Sequence, residues 1–155
     1  MNEKFKSYIE SLEPAYRSLV DKRAFTIASL PKDMPEAGVY IISEKGNAIF
    51  VGRTNRMRSR LKEQCRLSSN HNTASLAFKI AREATIHKKA TYTSDNSREA
   101  LEKDPSFKAE FERAKQRLSD MEVKFIEEND SLRQCLLQIY VALATEAKYN
   151  DFDTH

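Results

Sequence analysis

The stretch GVYIISEKGNAIFVGRTNRMRSRL, from Gly38 to Leu61, has the clearest structural pattern in this chain. Two runs rich in β-branched and aromatic residues, GVYII and AIFVG, flank SEKGN, in which Gly46 can take the positive φ that a tight turn demands. The pattern predicts a β-hairpin. A loop of odd length, such as residues 44–46, would pair Tyr40 with Phe50 on one face of the hairpin.

A basic segment follows the hairpin. Residues 53–66, RTNRMRSRLKEQCR, contain six arginines or lysines and one glutamate, although the net charge of the whole chain is only +3. Thr54 and Asn55 are suitable N-caps for a helix from about Arg56 to Cys65. A local basic cluster can neutralise phosphates even on a nearly balanced chain, and its alternative role is to solvate the helix. The residues expected to contact phosphate are Arg53, Arg56, Arg58, Lys62 and Arg66.

Helical patterns occur on both sides of this segment. Apolar residues recur every three or four positions between Phe5 and Leu19, which predicts an amphipathic helix that bends or restarts at Pro14. Further helices are predicted over residues 73–87 and 106–118. The side chains expected to be buried in them are Leu76, Phe78, Ile80, Ala84, Phe107, Phe111, Ala114 and Leu118.

The last part of the chain predicts a loop, a strand and a helix. TYTSDNS, residues 91–97, is typical of a loop. Apolar and charged residues alternate in MEVKFIEE, residues 121–128, as in a third strand with one face in the core. Asp130 is a suitable N-cap for a final helix. The expected apolar face of that helix consists of Leu132, Leu136, Ile139, Tyr140 and Leu143.

These elements predict an α+β fold with a small three-stranded sheet, mixed or antiparallel, flanked by helices. A chain of 155 residues suits a single domain, with residues 1–35 as a helical N-terminal extension and 36–155 as the core. No apolar run approaches the roughly 20 residues that cross a bilayer, and the start lacks the apolar core of a secretory signal, so we expect a cytoplasmic protein without membrane contact. Cys65 and Cys135 are expected to be half-buried.

The hairpin and the basic helix resemble the signature of the GIY-YIG nuclease superfamily. Gly38-Val39-Tyr40 is similar to its GIY tripeptide, and Phe50-Val51-Gly52 is similar to its YIG tripeptide. The family carries an arginine eight residues beyond the second glycine, where this chain has Arg60. Tyr149-Asn150 is similar to the YN pair that ends the last helix of many members. The resemblance covers roughly Gly38 to the C-terminus.

This resemblance implies a DNA endonuclease that hydrolyses phosphodiester bonds with Mg²⁺ or Mn²⁺. In active members the GIY tyrosine helps to activate water, the arginine stabilises charge on the scissile phosphate, and a glutamate on the last helix binds the metal. Tyr40 and Arg60 match the first two roles, and Gln138 stands at the position of the metal-binding glutamate. Phe50 and Gln64 replace a tyrosine and a histidine that are common in the family.

Gln138 leaves three interpretations open. An amide is a poorer ligand for a hard cation than a carboxylate, so the activity is either lost naturally or disabled in a variant. Alternatively, Glu146 or Glu128 supplies the carboxylate. Gln138 also suits the role of a hydrogen-bonded amide among apolar neighbours. The expected partner is the DNA phosphate backbone, and the alternative is a non-catalytic domain that binds RNA or protein.

His71, in the polar segment SSNHN, is a further candidate. It is either a group that assists proton transfer or an ordinary surface histidine.

Overall fold

The computed structural model describes residues 1–85 and 98–153. In them, the helices are α1 Glu3–Val20, α2 Met57–Cys65, α3 Ser75–Glu83, α4 Arg98–Lys103, α5 Pro105–Ser119 and α6 Ser131–Thr145. The strands are β1 Phe25–Thr26, β2 Gly38–Glu44, β3 Asn47–Thr54 and β4 Glu122–Glu127. None of these helices is both long and apolar enough to span a membrane. The chain divides into two compact units, unit 1 (Met1–Arg58 and Met121–His155) and unit 2 (Ser59–Asp120).

Unit 1 is built on an antiparallel sheet with the strand order β1-β4-β2-β3. The α+β class is confirmed, and the three expected strands are present. The expected number of strands is wrong, because Phe25 and Thr26 add a fourth strand by pairing with Val123 and Glu122. Two residues are too few to show an alternating pattern, so this strand is defined only by its pairing with β4.

The hairpin closes through a two-residue turn, and the expected three-residue loop is wrong. Glu44 pairs with Asn47, which leaves Lys45 and Gly46 as the turn. Both have positive φ, at 52° and 82°, as a type I′ turn requires. Gly46 takes this conformation without strain, whereas Lys45 takes it because the right-handed twist of the strands favours this turn type.

A β-bulge changes the register of the hairpin. Ser43 pairs with Ala48 and Ile42 pairs with Phe50, so the residue between them in β3 has no opposite partner. The two-residue turn and the bulge each shift the pairing by one residue, so that Tyr40 lies opposite Gly52 rather than Phe50. The expected direct pair is therefore wrong, but the two aromatic side chains share one face, with ring centroids 6.2 Å apart.

Helices α1 and α6 complete the core of unit 1. The buried residues of this core are Leu12, Leu19, Val39, Ile41, Val51, Leu137, Val141 and Ala142. Helix α1 continues through Pro14, so the predicted restart is wrong.

The Tyr8 hydroxyl donates to the Asp130 carboxylate at 2.7 Å. Asp130 also accepts the N–H groups of Leu132 and Arg133, which confirms it as the N-cap of α6. The hydrogen bond from Tyr8, followed by that from Arg133, lowers the pKa of Asp130 below its ordinary value.

The apolar face predicted for α6 is wrong at three of its five positions, whereas Leu136 and Tyr140 are partly buried and pack against the core, as expected. The residues that the helix buries are Gln134, Leu137, Val141 and Ala142, and the expected core residues that it exposes are Leu132, Ile139 and Leu143. Arg133 is the only charged residue in this helix, so apolar periodicity does not determine its rotation. Gln134 tolerates burial because its amide donates to the Asn55 side chain at 2.9 Å and to the Glu128 carbonyl at 2.6 Å.

Unit 2 contains α3, α4, α5 and most of α2. The rings of Phe78, Phe107 and Phe111 form an aromatic cluster, with centroid distances of 5.1, 5.7 and 6.3 Å. The predicted buried positions of α3 and α5 are confirmed except for Ala84, which is the exposed C-cap of α3. Helix α4 was not predicted, since six residues are too few to show periodicity. The predicted loop at residues 91–97 lies outside the described residues.

Candidate functional site

The two glycines of the signature are required by close packing. A Cβ atom at Gly52 would overlap the ring of Tyr40. Tyr40 lies directly opposite Gly52 in the neighbouring strand β2. A Cβ atom at Gly38 would overlap the backbone carbonyl of Ile126 in β4. Tyr40 itself is only 1% exposed. The spacing of the two tripeptides therefore corresponds to a physical unit in which an aromatic ring packs against a strand that has no side chain at that point.

The C-terminal segment pairs with the free edge of β3. The Asn150 side chain accepts the Val51 N–H at 2.7 Å and donates to the Val51 carbonyl at 2.8 Å. The Tyr149 N–H donates to the Ile49 carbonyl at 2.8 Å. An edge strand exposes unpaired backbone groups, and these bonds satisfy them as an additional strand would. The YN pair thus has a structural role that its sequence alone did not reveal.

Replacing Asn150 by alanine is expected to lower the free energy of unfolding by about 2 kcal/mol, because the Val51 N–H loses its acceptor and the Val51 carbonyl keeps only the hydrogen bond from Gln138. Denaturant unfolding followed by circular dichroism measures the change. Asn129→Ala is the matched control, since Asn129 is exposed and makes only a weak hydrogen bond of 3.4 Å to Glu127. Equal losses in the two variants would contradict this role for Asn150.

Gln138 contacts the same strand residue as Asn150. Its amide Nε2 donates to the Val51 carbonyl at 3.1 Å, and its side chain is half-buried. This geometry suits an amide, because an ionised carboxylate has no N–H to donate. Gln138 and Tyr40 therefore contact consecutive residues of β3, Val51 and Gly52 respectively.

The two alternative carboxylates lie at opposite ends of α6. Glu128 accepts the Asp130 N–H at 3.0 Å and forms an ion pair with Arg133 at 3.4 Å. Glu146 is the exposed C-cap, with a φ of 53°. Within residues 1–85 and 98–153 there is no group of three His, Cys, Asp or Glu side chains that could hold a metal ion. Gln138 donates its Nε2 to a backbone carbonyl and could offer a metal ion only a neutral amide oxygen, which is a poorer ligand for a hard cation than a carboxylate.

Arg60 lies in unit 2 beside the first residue of α3. Its guanidinium donates to the Thr73 carbonyl at 2.6 Å and to the Ser75 hydroxyl at 3.4 Å, and it lies 3.5 Å from the Glu63 carboxylate. The Arg60 side chain is 23% exposed. Helix α3 has Ala74 as its N-cap, with no side-chain hydrogen bond to its N–H groups. A guanidinium and the positive end of a helix are thus next to each other.

The other basic residues of the segment divide into two kinds. Arg58 donates to the backbone carbonyls of Pro31 and Lys32, so it fastens the chain before β2. The four predicted phosphate contacts that are exposed are Arg53, Arg56, Lys62 and Arg66. Arg53, Arg56 and Arg58 belong to unit 1, whereas Lys62 and Arg66 belong to unit 2.

Gln64 and Cys65 face inward from α2. Gln64 is fully buried, and its amide oxygen and nitrogen have no hydrogen-bond partner in the described part of the chain. Cys65 and Cys135 are half-buried, as expected, and neither is in a disulfide. Burial, with a smaller contribution from the charge of Asp120, raises the pKa of the Cys65 thiol to about 12. Cys65 is therefore a poor nucleophile, since the thiolate is the reactive form.

His71 is held by Glu102 of α4 rather than exposed on a loop. Both its backbone N–H and its ring Nδ1 lie 2.7 Å from the Glu102 carboxylate. Nearby, the buried Lys115 donates to the carbonyls of Leu67 and Ser69 at 2.8 and 2.5 Å, and burial lowers its pKa. These polar contacts hold residues 67–71 against α4 and α5, and neither could be inferred from the sequence because the partners are more than 30 residues apart.

The structure thus gathers Tyr40, Phe50, Gln138 and Asn150 around β3 in unit 1. Arg60 and Gln64 lie in unit 2. Gln134 and the partners of Asn150 were not predicted as parts of this region; a buried glutamine or asparagine has no local sequence signal. No family model, curated protein or solved structure matched this chain in the comparisons with known proteins.

Proposed function

We propose that this chain is a GIY-YIG-type domain that binds the phosphate backbone of DNA and whose phosphodiester-hydrolysing activity is impaired at Gln138. The main support for this proposal is the position of Tyr40, Gln138 and Asn150 around strand β3. Tyr40 packs on Gly52, while Gln138 and Asn150 share the backbone of Val51. The residues that carry the resemblance in unit 1 therefore contact two consecutive strand positions, although they are up to 110 residues apart in the chain.

Arg60 supports the phosphate-binding part of the proposal. A guanidinium has five N–H donors, and two of its nitrogens contact Thr73 and Ser75. These contacts fix its orientation, so that little side-chain entropy is lost when a phosphate binds. The N-terminus of α3 beside it favours negative charge for the same electrostatic reason.

Impaired hydrolysis follows from the chemistry of Gln138. Cleavage of a phosphodiester requires neutralisation of charge on the pentacovalent phosphate and on the leaving group. Arg60 is suited to the first task. The Gln138 amide donates to a backbone carbonyl and brings no metal ion to neutralise the charge on the leaving group. Phosphate binding without cleavage is therefore the function that these residues support.

The second candidate is a non-catalytic domain that binds RNA or protein. It is favoured by the burial of Tyr40, because a hydroxyl group that is to activate water must reach it, and this side chain is 1% exposed. Salt dependence separates binding to a nucleic acid from binding to a protein: binding through phosphates weakens steeply as the salt concentration rises, whereas binding through an apolar surface does not.

Replacing Arg60 by glutamine is expected to weaken DNA binding by about tenfold and to reduce the slope of log K against log salt by about 1, because one phosphate contact is lost. Fluorescence anisotropy with a labelled duplex over a series of KCl concentrations measures both quantities. Lys22→Gln removes the same charge from an exposed turn of unit 1. Arg60→Lys retains the charge and tests the need for the planar guanidinium.

If the Arg60 and Lys22 substitutions changed DNA affinity and the salt slope equally, Arg60 would not be a specific phosphate contact. Thermal melting of each variant is the necessary control, since Arg60 also holds the Thr73 carbonyl.

A further inference from the structure

Two arginines of unit 2 share one aromatic ring. The guanidinium carbon of Arg82, in α3, lies 5.2 Å from the centroid of the Phe78 ring, and that of Arg98, at the start of α4, lies 5.7 Å from it. Phe78 is 1% exposed, so its ring is a fixed support. Both cations are therefore held against the same rigid part of the core, and the charge of Arg98 is close enough to lower the pKa of Arg82.

The surroundings of Arg82 disfavour its positive charge and leave one of its N–H groups without a partner in the described part of the chain. Burial, and then the neighbouring charge of Arg98, lower the pKa of Arg82 below its ordinary value. The Arg82 Nε atom is buried and has no hydrogen-bond partner among residues 1–85 and 98–153. A buried N–H group without an acceptor, close to a second positive charge, costs free energy that a bound anion would remove.

We propose that Arg82 and Arg98 form a binding site for a phosphate-type oxyanion, and, on the basis of the proposed function, that its occupant is a backbone phosphate of DNA. Two guanidinium groups offer several N–H donors to the oxygens of one tetrahedral anion. This site would extend DNA contact in unit 2 beyond Arg60 to α3 and α4.

The test uses the side-chain Nε–H signal of Arg82 in the NMR spectrum of the ¹⁵N-labelled full chain. Arg82→Lys identifies the signal by its disappearance. Inorganic phosphate is then titrated at constant ionic strength against chloride. We expect phosphate to shift the Arg82 signal in a saturable way and chloride to leave it unchanged. Absence of a saturable shift would overturn the anion site.

DNA-binding measurements test whether the phosphate that occupies this site belongs to the DNA backbone or to a small compound. Arg98→Gln is expected to reduce the salt slope by about 1, whereas the matched control Arg113→Gln, an exposed arginine of the same unit paired with Glu110, leaves it unchanged. Arg98 is half-exposed, so its substitution spares the core if that of Arg82 prevents folding. If phosphate shifts the Arg82 signal but Arg98→Gln leaves the salt slope of DNA binding unchanged, the site binds a small phosphate compound. That result would overturn the proposal that a DNA phosphate occupies it.

These two measurements also separate this inference from the proposed function. If the full chain bound no DNA at any salt concentration, the proposed function would fail, and the phosphate titration would still decide whether Arg82 and Arg98 bind an anion.

Discussion

Gly38→Ala is expected to lower the free energy of unfolding by about 3 kcal/mol or more, the largest effect among the three glycines. The added Cβ would overlap the backbone carbonyl of Ile126, so the strands β2 and β4 must separate locally to admit it. Gly52→Ala is expected to cost about 2 kcal/mol, since the obstacle is the Tyr40 ring, which can shift at some cost in packing. Denaturant unfolding measures both changes.

Gly46→Ala is the matched control for these two substitutions. Gly46 has a φ of 82°, but no atom lies within 4 Å of the position of an added Cβ. Its substitution is expected to cost about 1 kcal/mol, from the left-handed backbone alone. A loss at Gly38 no larger than that at Gly46 would contradict the close approach of β2 and β4.

The contact between Gly52 and Tyr40 can be tested separately with a double-mutant cycle. In a Tyr40→Ala background the ring is absent, so Gly52→Ala is expected to cost less than in the original chain. An unchanged cost would mean that the glycine is required for a reason other than the ring.

Gln138→Glu is the substitution with the largest expected effect on function. Without metal it is expected to destabilise the fold by about 1–3 kcal/mol, because the carboxylate cannot donate to the Val51 carbonyl. If this is the position of the family's metal ligand, Mn²⁺ stabilises the glutamate form, by about 2.7 kcal/mol at a concentration of 100 times the Kd. Mn²⁺ should leave the melting temperature of the original chain unchanged.

The corresponding activity measurement compares both forms on plasmid, linear and branched DNA. We expect the glutamate form to nick DNA in Mg²⁺ or Mn²⁺ and not in chelator, and the original chain to nick it in neither. Gln138→Ala is the control, as it removes the hydrogen bond without adding a carboxylate. If neither form cuts DNA and neither is stabilised by Mn²⁺, the domain acts by binding alone.

Local patterns were reliable where a single physical reason determined the structure. The hairpin, the third strand and helix α5 all followed from periodicity, because burial on one face requires apolar residues at regular spacing. Asp130 was correctly identified as an N-cap, since a carboxylate before an apolar helix satisfies backbone N–H groups within a few residues. These features depend on neighbours in the chain and not on the remainder of the fold.

Predictions failed where the decisive partner was distant. Helix α6 has apolar residues on more than one face, and the face that it buries includes Gln134, whose amide donates to the Asn55 side chain and the Glu128 carbonyl. The two-residue turn and the bulge at residue 49 together set the partner of Tyr40, and no residue nearby signals the bulge. Arg82 and Arg98 are 16 residues apart in sequence and share a ring only through the packing of α3 and α4.

The hairpin, its basic continuation and the α+β class could be predicted from the amino-acid sequence, because turn residues and hydrophobic periodicity act over a few positions. Three features could be seen only in the folded chain: Asn150 completes the edge of β3, Gln138 donates to the Val51 carbonyl, and Arg60 lies at the start of α3. The physical reason is that hydrogen bonds of buried polar groups must be satisfied by whichever residues the fold brings within reach, and their distance along the chain is not constrained.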